Sequence, residues 1–111
     1  MTVQYKSETF NLTTTDLTTV LTINTTSVAI VKMVQASHAN ASNVDVDLYL
    51  KKLGGSDVEI SHAQLNKTTE NLVKESLNLE AGDVIKVQAG TANEITGAVS
   101  YALIDRQNEN G

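Results

Sequence analysis

Eight consecutive residues, Val44 to Lys51, alternate strictly. Val44, Val46, Leu48 and Leu50 are apolar, and Asp45, Asp47, Tyr49 and Lys51 stand between them. Side chains of a strand point to opposite faces in turn, so this period buries one face and wets the other. Wound as a helix, the same four apolar residues would scatter around the circumference. The segment therefore reads as a half-buried strand, and such a strand needs a second layer to cover it.

The rest of the chain repeats the theme less cleanly. Short runs rich in Val, Ile and Thr suit a pleated surface. With no proline in the chain, Gly, Asn, Asp and Ser must supply the turns, and they recur every 8–12 residues or so. The pattern predicts strands near residues 4–13, 17–23 and 28–37. In the third, Val28, Ile30 and Val34 share one face, while Ala29, Val31 and Met33 share the other; a strand apolar on both faces is central or covered. Loops are expected at 24–27 and 40–43. Gly54 and Gly55 can supply the positive φ of a hairpin after residue 51.

A fifth strand is expected near 58–65, with Val58 and Ile60 inward, then a turn at 67–70. Segment 71–79 is ambiguous between a helical turn and a strand, and strand is favoured from Val73. In LNLEAGDVIKV (77–87), Leu77, Leu79, Ile85 and Val87 alternate inward around a hairpin turn at 80–83. Gly82 tolerates the left-handed conformation there, and Asp83 can accept from nearby amides. The last strand is expected near 94–104, with Gly97 permitting a bend or bulge. The fold class is thus all-β: an antiparallel β-sandwich of about eight strands, jelly-roll or immunoglobulin-like. At 111 residues the chain is one domain, 1–111, with polar terminal segments 1–7 and 105–111.

Chemistry is scarce. With 13 acidic and 8 basic residues the net charge is −5, and Arg106 is the only arginine. A nucleic-acid footprint of clustered cations and aromatics is missing. Without cysteine there is no thiolate nucleophile or cysteine-based zinc site. Residues 1–8 lack the apolar run of a signal peptide and no stretch matches a membrane helix, so synthesis is expected in the cytoplasm with no membrane partner. The four Asn-X-Ser/Thr triplets, at Asn11, Asn24, Asn40 and Asn66, read as chance in an Asn- and Thr-rich chain. The threonine run at 13–19 lacks the regular repeat of an ice-binding surface.

His38 and His62 read as surface residues, and no Ser-His-Asp set can be assembled. Asp45 and Asp47 share a strand face and could bind calcium or act as an acid/base pair. The simpler reading is a solvated face moderated by Lys51 and Lys52. No catalytic, cofactor-binding or metal residue is assigned, and the chain is read as not an enzyme. Edge protection is thin, since proline is absent and several strands are dominated by Thr, Ser and Val, so edges are expected to be covered in an oligomer or a larger assembly.

Five blocks in order carry a resemblance: FNLTT (10–14), TTSVAIVK (25–32), VDVDLYL (44–50), LNLEAGDVIKVQA (77–89) and EITGAVSY (94–101). Together they resemble the small β-sandwich virion structural proteins of tailed bacteriophages, over roughly residues 9–104. The resemblance implies a capsid decoration or cement protein located on the virion. Its partners would be the major capsid protein or other virion proteins, and it would be a homo-oligomer. A neck, tail or fibre component is the alternative. So is a carbohydrate-binding β-sandwich, for which only Tyr5, Tyr49 and Tyr101 could form an aromatic platform.

Overall fold

In the computed structural model, which describes residues 2–105, the alternating segment is β4 (Val44–Lys51), with Val44, Val46 and Leu48 buried and Asp45 exposed. The other strands are β1 (Thr2–Leu12), β2 (Thr18–Thr22), β3 (Ser27–His38), β5 (Asp57–Leu65), β6 (Thr68–Asn71), β7 (Leu77–Leu79), β8 (Val84–Ala89) and β9 (Ile95–Asp105). The first sheet runs β1-β9-β3-β6, with β7 also on β3; the second runs β2-β8-β4-β5. Every pairing is antiparallel. Leu12, Val31, Val34, Ile95 and Val99 from one sheet meet Val46, Leu48, Ile85 and Val87 from the other in one core. The expected all-β antiparallel sandwich is the observed fold, with nine strands among the described residues where about eight were expected.

The ninth strand is β6, at residues read from sequence as a turn. All four of its residues are exposed, and none is apolar, so no periodicity betrays it. The turn lies just before it, where Lys67 adopts φ 48°. β6 and β7 are two pieces of one interrupted edge. β6 pairs with Gln35–His38 and β7 with Ala29–Val31. Between them Asn71 Oδ1 accepts from the Val34 and Val73 amides, both at 3.1 Å. Leu72 and Val73 drop into the core there. The strand favoured from Val73 therefore begins only at Leu77, and Val73 is buried outside any strand.

The interruption faces a bulge. β3 pairs regularly with β9 up to Val31, skips Lys32, and resumes at Met33. One extra residue reverses which parity points inward. Ala29 and Val31 are buried before the bulge, and Val34, Ala36 and His38 after it. Similar single-residue shifts occur at Val20 in β2 and Ile60 in β5. Val58 and Ile60, expected inward, are instead 58% and 42% exposed: Ile60 is the bulged residue, and Val58, though opposite Leu50, lies on the edge strand near the hairpin end.

Gly54 (φ 76°) turns the β4–β5 hairpin as expected, closed by the Gly55 amide on the Lys52 carbonyl at 2.8 Å. The turn at 80–83 is not a hairpin turn. It carries the chain from β7 in the first sheet to β8 in the second, so Leu79 and Ile85 meet across the core. Gly97 forms no bulge: it pairs regularly with Phe10 on one side and Ala36 on the other. Residues 2–7, read as a polar terminal segment, belong to β1. Residues 106–111 of the expected C-terminal tail lie outside the described residues.

Candidate functional site

Two outward faces and one buried corner gather the side chains with functional potential. On the first sheet, antiparallel register stacks residues into rows. Val3 lies opposite Ile104, itself opposite Val28; Tyr5 lies opposite Ala102, itself opposite Ile30. This end of the face is apolar, with Tyr5 85% and Val3 45% exposed. At the other end the row is Asn11, Thr96, Ser37 and Thr69, and it is wholly polar. An exposed aromatic beside aliphatic neighbours is surface that a partner would remove from water favourably. The three tyrosines do not form a shared platform. Tyr49 is on the second sheet, and Tyr101 is buried with its hydroxyl donating to Glu8 at 3.1 Å.

The outer face of the second sheet carries a polar cluster. Asp47 of β4 lies directly opposite His62 of β5, and their side chains form an ion-paired hydrogen bond. Strict alternation would send Glu59 and His62 to opposite faces, three residues apart. The bulge at Ile60 turns both outward, with Glu59 opposite Tyr49. One donor atom each from Asp47, Glu59 and His62 lies within 4.8 Å of the others. That spacing fits ligands around a single divalent ion, and Asp47 and His62 also pair with each other, with Glu59 close beside them. Asp45 accepts from Gln64 at 3.2 Å. Lys52, expected to moderate this face, instead bonds Glu80 and Asp83, so His62 is the cation that moderates Asp47.

The electrostatics follow from contact. The Asp47 hydrogen bond, then its charge, raise the His62 pKa above the ordinary 6.5. The Asp47 hydrogen bond and charge also raise Glu59 above the ordinary carboxylate value. Burial, then the field of Glu59, Asp47 and Asp57, pushes the Tyr49 phenol up. A raised folded-state pKa means the native state holds its proton more tightly than the unfolded chain does. Stability from His62 and Glu59 is therefore full below their unfolded values and is lost as pH rises through the folded ones. In an NMR titration His62 is expected to titrate above 6.5, and Asp47→Asn to bring it back toward that value.

Asp47 and His62 were each weighed from sequence, but not as a pair. The register beside the turn, with Lys51 opposite Asp57, would set Asp47 opposite residue 61, and the bulge at Ile60 moves its partner to His62. His38 corrects the sequence reading outright, since it is 1% exposed. Its Nε2–H donates to the Ser42 carbonyl at 2.8 Å, and Nδ1 lies 3.3 Å from the Glu94 carbonyl oxygen. The ring thereby ties the loop after β3 to the start of β9, a structural role. After the Lys32 bulge Val34, Ala36 and His38 point inward together, which buries a residue expected at the surface.

A groove of about 400 Å³ lies between β1 and β2, lined by Lys6, Glu8, Leu21, Ile23 and Tyr101 among others. A second of about 400 Å³ is bounded by Leu48, Ile60, Leu72, Val73 and Leu77. No helix among the described residues is long and apolar enough to cross a membrane.

No protein-family model matches the chain, and no curated protein matches it by sequence. Solved structures do match its fold. A chain from the acidic stable capsid structure of Helicobacter pylori bacteriophage KHP30 aligns at TM-score 0.59 and 11% identity, over 94% of this chain and 88% of that one. A chain of the Bacillus endospore appendages, a family of disulfide-linked pili, aligns at TM-score 0.54 and 10% identity, over 95% and 88%. The SPBc2 prophage-derived protein YomS aligns at TM-score 0.45 and 12% identity, over 93% and 96%. At these identities the likeness is one of fold.

Proposed function

We propose that the chain is a non-enzymatic structural protein of a phage particle, a decoration or cement protein that binds the capsid shell without covalent links. The observation that carries this reading is the apolar end of the first sheet's outer face, where Tyr5 and Val3 stand in water beside Ile104, Val28 and Ile30. A modest apolar contact repeated at many symmetry-related positions stabilises a shell by mass action. The strand orders β1-β9-β3-β6 and β2-β8-β4-β5 are read as a jelly roll, because among the described residues only β4–β5 is a hairpin and the crossovers alternate between sheets. Sharing a fold with a phage capsid chain and a pilus chain supports assembly as the theme. With no cysteine, this chain would assemble by burial and hydrogen bonds and not by disulfides.

Purified capsids are expected to retain the protein and to lose thermal stability when it is stripped. Tyr5→Ser is expected to weaken shell binding about tenfold, the loss of one well-buried aromatic contact. Recovery of the protein only with detached tails, beside bare capsids of full stability, would overturn the shell reading in favour of a neck, tail or fibre component.

A further inference from the structure

Among the described residues the two sheets have four edges, and three of them are blunted. β2 and β5 each carry a bulge, and the β6–β7 edge is broken. Bulged, short or interrupted edges resist pairing with another chain. β1 is different. It runs eleven residues, holds unbroken register with β9 from Thr2 opposite Asp105 to Leu12 opposite Ile95, and contains no proline. Its far side offers a straight row of backbone donors and acceptors, and residues 2–9 are all exposed.

We propose that β1 pairs antiparallel with β1 of a second copy, about a two-fold axis through Ser7, joining the two first sheets into one. Register decides the partner. Side chains alternate, so the outer faces remain continuous only if paired residues have the same parity. A two-fold pairing must then be centred on a single residue. Centring on Lys6 sets two ammoniums opposite each other, and centring on Glu8 sets two carboxylates opposite each other. Centring on Tyr5 pairs Lys6 with Gln4 and leaves the last residues of the strand overhanging.

Centring on Ser7 pairs the whole strand, Thr2 with Leu12, and places Lys6 opposite Glu8 twice. The register of greatest overlap is thus also the register of opposite charge. Lys6 forms no ion pair among the described residues, and Glu8 accepts from Tyr101 through Oε2, leaving its other oxygen for an ammonium. A surface matched to itself in this way is the isologous interface of a two-fold dimer. The same pairing sets the apolar ends carrying Val3 and Tyr5 at opposite ends of the joined sheet.

Light scattering on size-exclusion fractions tests this with the intact chain. The expected result is a mass rising, with concentration, from 11.9 kDa toward twice that value. Lys6→Glu and Glu8→Lys should each weaken the dimer at least about tenfold by setting like charges opposite. An equimolar mixture of the two variants should recover it as a heterodimer, because each then meets opposite charge. The mixture also guards against a variant that is simply misfolded. A monomer at every concentration overturns the proposal, as does a dimer indifferent to either substitution. The proposal does not rest on the shell reading. A β1 dimer that ignores capsids would sink only the latter, and a monomer that binds them would sink only the former.

Discussion

Gly97→Ala is expected to cost about 3 kcal/mol or more of folding stability, at the upper end of overpacking. Gly97 lies in the middle of β9 with β1 on one side and β3 on the other. A Cβ there would overlap the Gln35 carbonyl oxygen and the ring of Phe10. A ring can rotate away, but the Gln35 carbonyl belongs to the backbone of β3. That strand is held on its other side by β6 and β7, so it cannot retreat without breaking pairs. Against a typical total of about 5–15 kcal/mol, such a loss removes a large share of stability.

A double-mutant cycle separates the two obstacles. Phe10→Ala alone removes a partly buried ring from the edge of the core and is expected to cost about 2 kcal/mol, less than full burial would imply. If the ring were the whole obstacle, Gly97→Ala would cost nothing more in that background. Because the carbonyl remains, the double variant is expected to stay clearly less stable than Phe10→Ala, with coupling of about 1 kcal/mol between the sites. Urea midpoints at constant m value would measure this.

The same residue shows what the sequence could tell. The glycine on an otherwise apolar strand face was legible as a place of special geometry, but not as a close approach, because Phe10 lies far away in the chain. The sandwich itself was legible wherever one face is buried and the register regular, as in β4. It was lost at the bulges. An inserted residue at Lys32 or Ile60 changes parity without changing composition. Two consequences follow: His38 moves from the expected surface to the core, and Glu59 joins His62 and Asp47 on one face. β6 was illegible for another reason. A wholly exposed polar edge has no hydrophobic period to read, and it exists because β3 offers it hydrogen bonds.

The turn at 80–83 was the reverse case, its chemistry legible and its topology not, and it carries the second large prediction. Asp83 is 1% exposed. Its Oδ2 accepts from the Glu80 amide at 2.8 Å and from Lys52 Nζ at 2.5 Å. Its backbone carbonyl accepts from the Ile23 amide, and the Gly82 amide donates to the Ile23 carbonyl, both at 2.9 Å. One carboxylate thus organises the turn that moves the chain between sheets and fastens it to the end of β2. Burial by itself would raise the Asp83 pKa. The Lys52 hydrogen bond, then the Glu80 amide, the Lys52 charge and the Leu53 amide outweigh it and hold the carboxyl below its ordinary value. A depressed folded-state value means stability that is present above the unfolded pKa and is lost as pH falls through the folded one.

Asp83→Ala is therefore expected to cost about 2–4 kcal/mol at neutral pH, from the Glu80 amide left without its acceptor and the loss of one of the two carboxylates that Lys52 bonds. The gap from the unsubstituted protein should narrow as pH falls through the depressed Asp83 value. Asp83→Asn keeps an acceptor for the Glu80 amide but not the charge, so it should fall between. Lys52 is 47% exposed, so its share is screened, and its coupling to Asp83 should be about 1 kcal/mol. Equal losses for Ala and Asn would assign the stabilisation to the ion pair, whereas a small loss for Asn would assign it to the turn amide. The buried position of the carboxylate and the half-exposed position of the lysine favour the amide.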